Sequence, residues 1–166
     1  MSSRMSPEAG PGIPAAPIRQ GGADDLDGVI DVMNAAFAPC FGERWTRSQC
    51  AGILPMSGVK LRLAGNPGEP PIGFSLMRVV ADEAELLLIA VAPAAQRRGI
   101  GQALFDDFIA EARASGARRL HLEVRAGNAA IAMYEAAGFR AEGRRTNYYH
   151  GPGGEQFDAI TQVLAD

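Results

Sequence analysis

The sequence predicts a single mixed α/β domain. Short apolar runs of strand character are interleaved with segments of helical periodicity, and in the second half the order is strand, helix, strand, helix, strand. A glycine-containing turn, "QRRGIGQALFDDF", sits directly between an unbroken apolar run and an amphipathic helix, which is the layout of a βαβ crossover. At 166 residues, 47% of them hydrophobic and 21% charged, the chain is sized for one core and needs no second domain.

The elements follow in order. The opening "MSSRMSPEAGPGIPAAPIRQGG" has prolines at 7, 11, 14 and 17 and few large apolar residues, so it buries too little to offset the entropy of ordering. Residues 1–17 are expected to form a flexible tail and residues 18–166 the folded domain. Asp24 and Asp25 suit the cap and first turn of a helix in which Leu26, Val29, Ile30, Met33 and Phe37 recur at helical spacing. A second short helix is expected over "TRSQCAGIL", capped by Thr46. Two strands follow, "VKLRLA" and "IGFSLMRVV", separated by the turn-rich "GNPGEPP". "ELLLIAV" is a third strand, and its lack of alternation predicts burial on both faces. A helix spans about Gly99 to Ser115, with Ile100, Leu104, Phe108 and Ala112 four apart on one stripe. "RRLHLEV" alternates, setting Leu120, Leu122 and Val124 on one face and His121, Glu123 and Arg125 on the other. A short helix, "AAIAMYEAA", stops at Gly138 before "FRAEG". The remainder, "RRTNYYHGPGGEQFDAITQVL", reads as two strands joined by a Gly/Pro loop.

Composition narrows the function classes. No apolar run is long enough to span a bilayer, the longest being Leu86 to Pro93, and the N-terminus lacks a basic flank followed by an apolar segment. A soluble, cytoplasmic protein without a membrane partner is expected, a monomer or weak dimer. Cys40 and Cys50 form neither a CxxC pair nor a Cys/His cluster, so no metal is expected. Net charge −3 argues against direct nucleic-acid binding.

The turn before the long helix carries chemistry. A glycine turn at a helix N-terminus exposes free backbone N–H groups, the helix dipole adds partial positive charge, and phosphate binds such places. Gly99 and Gly101 remove Cβ atoms that would hold a diphosphate away, and Arg97 and Arg98 add charge at the rim. There is no GxxxxGK(S/T), and GxGxxG would need a third glycine where Ala103 or Leu104 stands, so a nucleoside triphosphate or a dinucleotide is disfavoured. A helix start with packing glycines and solvated arginines is the plain alternative.

The run "AVAPAAQRRGIGQAL" followed by "LEVRAGNAAIAMYEAAGF" resembles the GNAT superfamily of acetyl-CoA-dependent N-acetyltransferases. "DEAELLLIAV", "LEVRAGN" and "RRTNYY" are most similar to the RimI-type enzymes, which acetylate the N-terminal alanine of a small-subunit ribosomal protein. The resemblance covers roughly residues 70 to 164 and extends in pattern to "ERWTRSQ". It implies a GNAT fold, a central, mostly antiparallel sheet with a βαβ cofactor-binding crossover and helices on both faces. It also implies acetyl-CoA as co-substrate, its pantetheine against the strand backbone at Ile89, Ala90 and Val91 and its diphosphate on the turn from Gln96 through Arg97, Arg98, Gly99, Ile100 and Gly101 to Gln102. Asn128 matches an asparagine that hydrogen-bonds the cofactor. The family usually places six residues between that asparagine and its tyrosine, whereas "NAAIAMY" has five, so either the helix starts one residue differently or Gly127 takes the asparagine's place.

Acetyl transfer from a thioester to an amine needs a neutral amine, a polarised carbonyl and a proton for the leaving thiolate. By resemblance Glu123 is the general base, and Tyr134 the group beside the sulfur. An unperturbed carboxylate of pKa about 4.3 is a weak base, so Glu123 is expected to act through water or after burial raises its pKa. At pH 7 an α-amine of pKa about 7.8 is roughly 14% neutral and a lysine of pKa about 10.4 about 0.04%, a gap of about 3.5 kcal/mol that favours an N-terminal acceptor. A phenol giving its proton to a thiolate is uphill by roughly 2 kcal/mol, so Tyr134 is expected to stabilise by hydrogen bonding. Tyr148, Tyr149 and Asp158 match the RimI-type "NYY…DA" ending and are expected to line the acceptor pocket, which would take a peptide or protein N-terminus, a ribosomal protein among them. A small-molecule amine acetyltransferase and a non-catalytic acyl-CoA-binding domain remain as alternatives.

Overall fold

In the computed structural model, which describes residues 16–165, strands and helices follow the order read from the sequence, with one strand added at the start. The expected tail lies outside the described residues up to position 15. Ile18–Gln20 forms β1, which pairs antiparallel with β2, Val59–Ala64, and Gly65 donates to the Pro17 carbonyl. A three-residue edge strand in a proline-rich opening is too short to show a period.

Asp25 ends a single 3-10 turn and accepts from the Gly22 N–H at 2.9 Å, and α1 begins at Leu26 and runs to Ala36. Thr46 caps α2, Arg47–Ile53, in both directions: its hydroxyl accepts from Gln49 N–H at 3.1 Å, and the Gln49 side chain accepts from Thr46 N–H at 2.8 Å. β3, Gly73–Val80, and β4, Glu83–Val91, form an antiparallel pair that leads into α3, Ile100–Ala114, and β5, Arg119–Arg125. Then come α4, Ile131–Ala136, β6, Arg140–His150, and β7, Gln156–Leu164. "FRAEG" and "RRTNYY" thus belong to one long strand. The sheet order is β1-β2-β3-β4-β5-β7-β6, antiparallel except where the α3 crossover sets β5 parallel to β4.

Two clusters of side chains hold the helices to opposite faces. Leu26, Val29 and Met33 of α1 pack with Leu63, Phe74, Leu76 and Leu88. The predicted α3 stripe of Ile100, Leu104, Phe108 and Ala112 is fully buried, and Phe105 and Phe108 pack with Met77, Leu86, Leu122, Tyr134 and Phe139. Arg62 of β2 grips Asp107 of α3 through two 2.9 Å hydrogen bonds, fixing the helix across the sheet.

The apolar run of β4 has a different cause from the one its sequence suggests. The register slips between Leu76 and Met77, so that Leu76 faces Leu88 while Met77 faces Leu86, leaving Leu87 as an extra residue. This β-bulge reverses the inward phase. Ala84 and Leu86 pack beneath α3, whereas Leu88 and Ala90 pack beneath α1. Leu87, Ile89 and Val91 are only half-buried, because that part of the strand borders open space. Among the described residues no helix is long and apolar enough to cross a membrane, and no group of three His, Cys, Asp or Glu is placed to hold a metal.

Candidate active site

The bulge in β4 lies where the sheet opens. β4 and β5 pair only from Glu83–Arg119 to Leu86–Leu122, after which both strands continue, to Val91 and Arg125, without pairing with each other. Two cavities occupy the splay. The larger, about 490 Å³, is walled by Ile89, Ala90, Val91, Gln96, Gly101 and Met133, among others. The smaller, about 170 Å³, is walled by Trp45, Glu85, Glu123, Tyr148 and Tyr149, among others. Phe37, Glu43, Ile89, Asn128 and Tyr134 line both and form the neck between them.

The larger cavity ends at the glycine turn. Arg97 has φ +65° and Gly99 φ +76°, so the turn visits the left-handed region twice, and at Gly99 the missing Cβ makes that inexpensive. Ala103 N–H is the first to find an acceptor, Gly99 O at 2.9 Å; among the described residues the six N–H groups of residues 97–102 have no backbone partner. N–H groups without a backbone partner at the N-terminus of a four-turn helix fit a diphosphate. The expected residues divide by role. Ile89, Ala90, Val91, Gln96 and Gly101 line the cavity; Arg97 and Arg98 are exposed at its rim; the Ile100 side chain is buried in the core, so only its N–H is available; and Gln102 turns its amide to Asp106 at 2.9 Å. Gln96 donates to Val91 O at 3.1 Å, tying the turn to β4.

Tyr134 stands at the neck. Its ring packs on Phe105 at 4.8 Å between centroids, and burial, followed by the charge of Glu43, pushes its pKa well above the ordinary phenol value, so it is a neutral O–H donor at physiological pH. Glu123 lines the smaller cavity. Its carboxylate accepts from Arg145 at 3.0 Å and from the Thr161 hydroxyl at 3.1 and 3.0 Å. Arg125, on the same strand face as Glu123, pairs with Glu43. Tyr149 donates to the Glu123 backbone carbonyl at 3.3 Å and meets the Tyr148 ring edge-on at 4.9 Å.

Asp158 departs from expectation, because it lines neither cavity. It accepts from Asn147 N–H at 2.9 Å and from Arg144 at 2.6 Å, and these bonds hold its carboxyl below the usual range. Asn147 has φ +54° and sits where β6 carries residues 146–148 unpaired between Arg145–Ala159 and Tyr149–Phe157. Asp158 therefore fixes the bulge that aims Tyr148 and Tyr149 at the cavity. Asn128 does two things: its carbonyl oxygen accepts from Ala130 N–H at 2.9 Å at the start of α4, and its NH₂ donates to Glu43 at 3.3 Å. Gly127, with φ +87°, supplies only the turn before it.

Sequence reasoning marks the acidic and apolar residues near Phe41 to Trp45 as able to shape a peptide groove without giving Glu43 a role, and it misses Glu85. Glu43 lies in the linker between α1 and α2, where no periodicity applies; an acidic residue amid aromatics in "CFGERW" is the only local sign. Glu85 was hidden inside a strand.

The profile of the acetyltransferase (GNAT) family matches residues 30–139. The chain is 48% identical over 92 residues to the ribosomal protein bS18-alanine N-acetyltransferase of Escherichia coli, a match covering 55% of this chain and 62% of that relative's length. Its counterpart from Salmonella typhimurium is 48% identical over 132 residues, which covers 72% of this chain and 87% of the relative. The crystal structure of the ribosomal-protein-S18-alanine N-acetyltransferase from Escherichia coli superposes with a TM-score of 0.79 at 35% identity, over 90% of this chain and 92% of that one. By the family profile over residues 30–139 and by the Salmonella typhimurium relative, the chain belongs to the acetyltransferase (GNAT) family.

Proposed function

We propose that this chain is an acetyl-CoA-dependent N-acetyltransferase that moves the acetyl group directly to the N-terminal α-amine of a protein. An alanine of a ribosomal protein, the acceptor given in its relatives' names, is the first choice. The observation that carries this reading is the neck: two cavities of different character meet at Tyr134, one faced with backbone donors and the other with carboxylates and phenols.

Residues present fit the co-substrate. The unpaired amides of 97–102 suit its diphosphate, and the backbone of β4 from Ile89 to Val91, unpaired on the β5 side, suits the amides of its pantetheine arm. Acetyl-CoA, when bound, supplies the thioester carbonyl. Tyr134 offers its O–H at the neck; since burial raises its pKa, giving the proton away outright is even less favourable than for a free phenol, and hydrogen-bond stabilisation of the departing sulfur is its role. Glu123, oriented by Arg145 and Thr161, receives the amine proton through a water molecule. At about 170 Å³ the smaller cavity is well below the roughly 300–1,000 Å³ of ordinary ligand pockets, which suits a first residue as small as alanine. The following residues leave past Tyr148, which is 47% exposed.

The test is thiol release from acetyl-CoA with a short alanine-led peptide, beside the same peptide with its α-amine blocked and an internal lysine retained. Turnover with the free α-amine alone is expected. Turnover only with free amino acids or polyamines would assign a small-molecule acceptor instead.

A further inference from the structure

Among the described residues, Glu43 is the one charged side chain that lines both cavities. It is 11% exposed, and its two oxygens are held from behind, one by Arg125 Nε at 3.1 Å and the other by Asn128 NH₂ at 3.3 Å. Arg125 is itself 14% exposed and lies over the Phe41 ring at 3.7 Å, and Phe41 is braced edge-on by Phe157 at 5.2 Å. The carboxylate is thus fixed in place, with two of its roughly four acceptor positions used. Its charge is felt on the neck side: after burial it is the largest influence raising the pKa of both Tyr134 and Tyr149.

An acceptor amine arrives mostly as a cation, since an α-amine of pKa about 7.8 is largely protonated at pH 7. A cation entering a half-dry neck needs a fixed counter-charge. We infer that Glu43 binds the α-ammonium of the acceptor at the neck, as a second carboxylate of the reaction with a role separate from that of Glu123. This rests on the reading of the site as an amine acetyltransferase. Glu43 holds the nitrogen beside Tyr134; an N–H bond then breaks, its proton passes to a water hydrogen-bonded to Glu123, and the freed lone pair faces the thioester. An anion beside the ammonium strengthens binding but also favours the charged form. Glu43 therefore acts mainly on KM for the acceptor and little on kcat.

Trp45, the sole tryptophan, lines the smaller cavity and reports on its occupancy. In the full chain with coenzyme A present, its fluorescence is titrated with alanine amide, with N-acetylalanine amide and with an alanine-led peptide, for the wild type, Glu43→Gln and Glu43→Asp. The wild type is expected to prefer alanine amide over its acetylated form by about tenfold, and Glu43→Gln to lose that preference while binding the acetylated form within about twofold of wild type. Glu43→Asp keeps a reduced preference, and decides the matter alone if the Gln variant is unstable. Steady-state rates then show a raised acceptor KM with kcat nearly unchanged, a split that a merely structural role would not give. A wild type with no preference for the free amine, or variants that keep it in full, overturns the proposal. Binding of alanine amide without binding of the peptide leaves Glu43 in place and removes the protein-acceptor reading.

Discussion

The two cavities are built from different materials. The larger sets side chains such as Phe37, Met133 and Tyr134 against backbone: turn amides without a backbone partner among the described residues and the edge of β4 that β5 leaves uncovered, with Gly101 adding no side chain. The smaller is made of side chains from six places in the chain: the α1–α2 linker, β4, β5, the β5–α4 turn, α4 and β6. A backbone site recognises what every co-substrate molecule has in common and tolerates side-chain change, whereas a side-chain site can be retuned one residue at a time. In the proposed function the chemistry occurs where they meet.

Changes at the neck have the largest expected effect. Tyr134→Phe should lower kcat by about 100-fold with acetyl-CoA affinity unchanged, because it removes one donor aimed at developing charge and leaves the ring packing on Phe105 intact. Stopped-time thiol assays alongside a coenzyme A binding titration separate the two quantities. The wild-type profile of kcat/KM against pH, which reports the free acceptor, should rise with the neutral fraction of the α-amine, through about pH 7.8, and show no fall below about pH 10, since the raised pKa of Tyr134 keeps its proton in place over that range. A falling limb near pH 9 that survives in Tyr134→Phe would mean that another group is the donor.

A change confined to one cavity should leave the other alone. A Cβ at Gly101 meets only Val91 among the described residues, at an ordinary contact distance of 3.7 Å, so Gly101→Val is expected to fold and to add its methyl groups at the wall of the larger cavity. It should raise KM for acetyl-CoA about tenfold and leave the acceptor KM unaltered. Equal damage to both would mean that the cavities are not separate binding regions. The smallest effect belongs to Tyr149→Phe. Losing its 3.3 Å bond to the Glu123 carbonyl should cost about 1 kcal/mol, read as an acceptor KM raised about fivefold with acetyl-CoA KM intact.

The same difference explains what could be read in advance. Residues 96–102 are contiguous, and what they need from the sequence is local: a glycine at a left-handed position, a strand before it and a helix after it; residues 89–91 are named only through the resemblance. The Thr46 cap and the α3 stripe were legible for the same reason. The bulge at Leu87 was not, since leucine on both sides of it conceals the change of phase, and an unbroken apolar run describes a bulged strand as well as a doubly buried one. Glu43 and Arg125 are 82 residues apart, and no spacing rule joins a linker carboxylate to the end of a strand. Asp158 was noticed for its place in the chain, yet its partners, Arg144 and Asn147 on β6, turn it from a pocket residue into the clamp of a bulge.

The central claim is that the two cavities form one continuous path across Tyr134. A conjugate in which the acetyl carbon links the sulfur of coenzyme A to the amine of an alanine-led peptide tests it by calorimetry. Continuity predicts a Kd at least about 100-fold below that of coenzyme A alone, because the second half binds without a second loss of freedom. A conjugate that binds no more tightly than coenzyme A would show that the peptide half finds no site, and direct transfer through the neck would be contradicted.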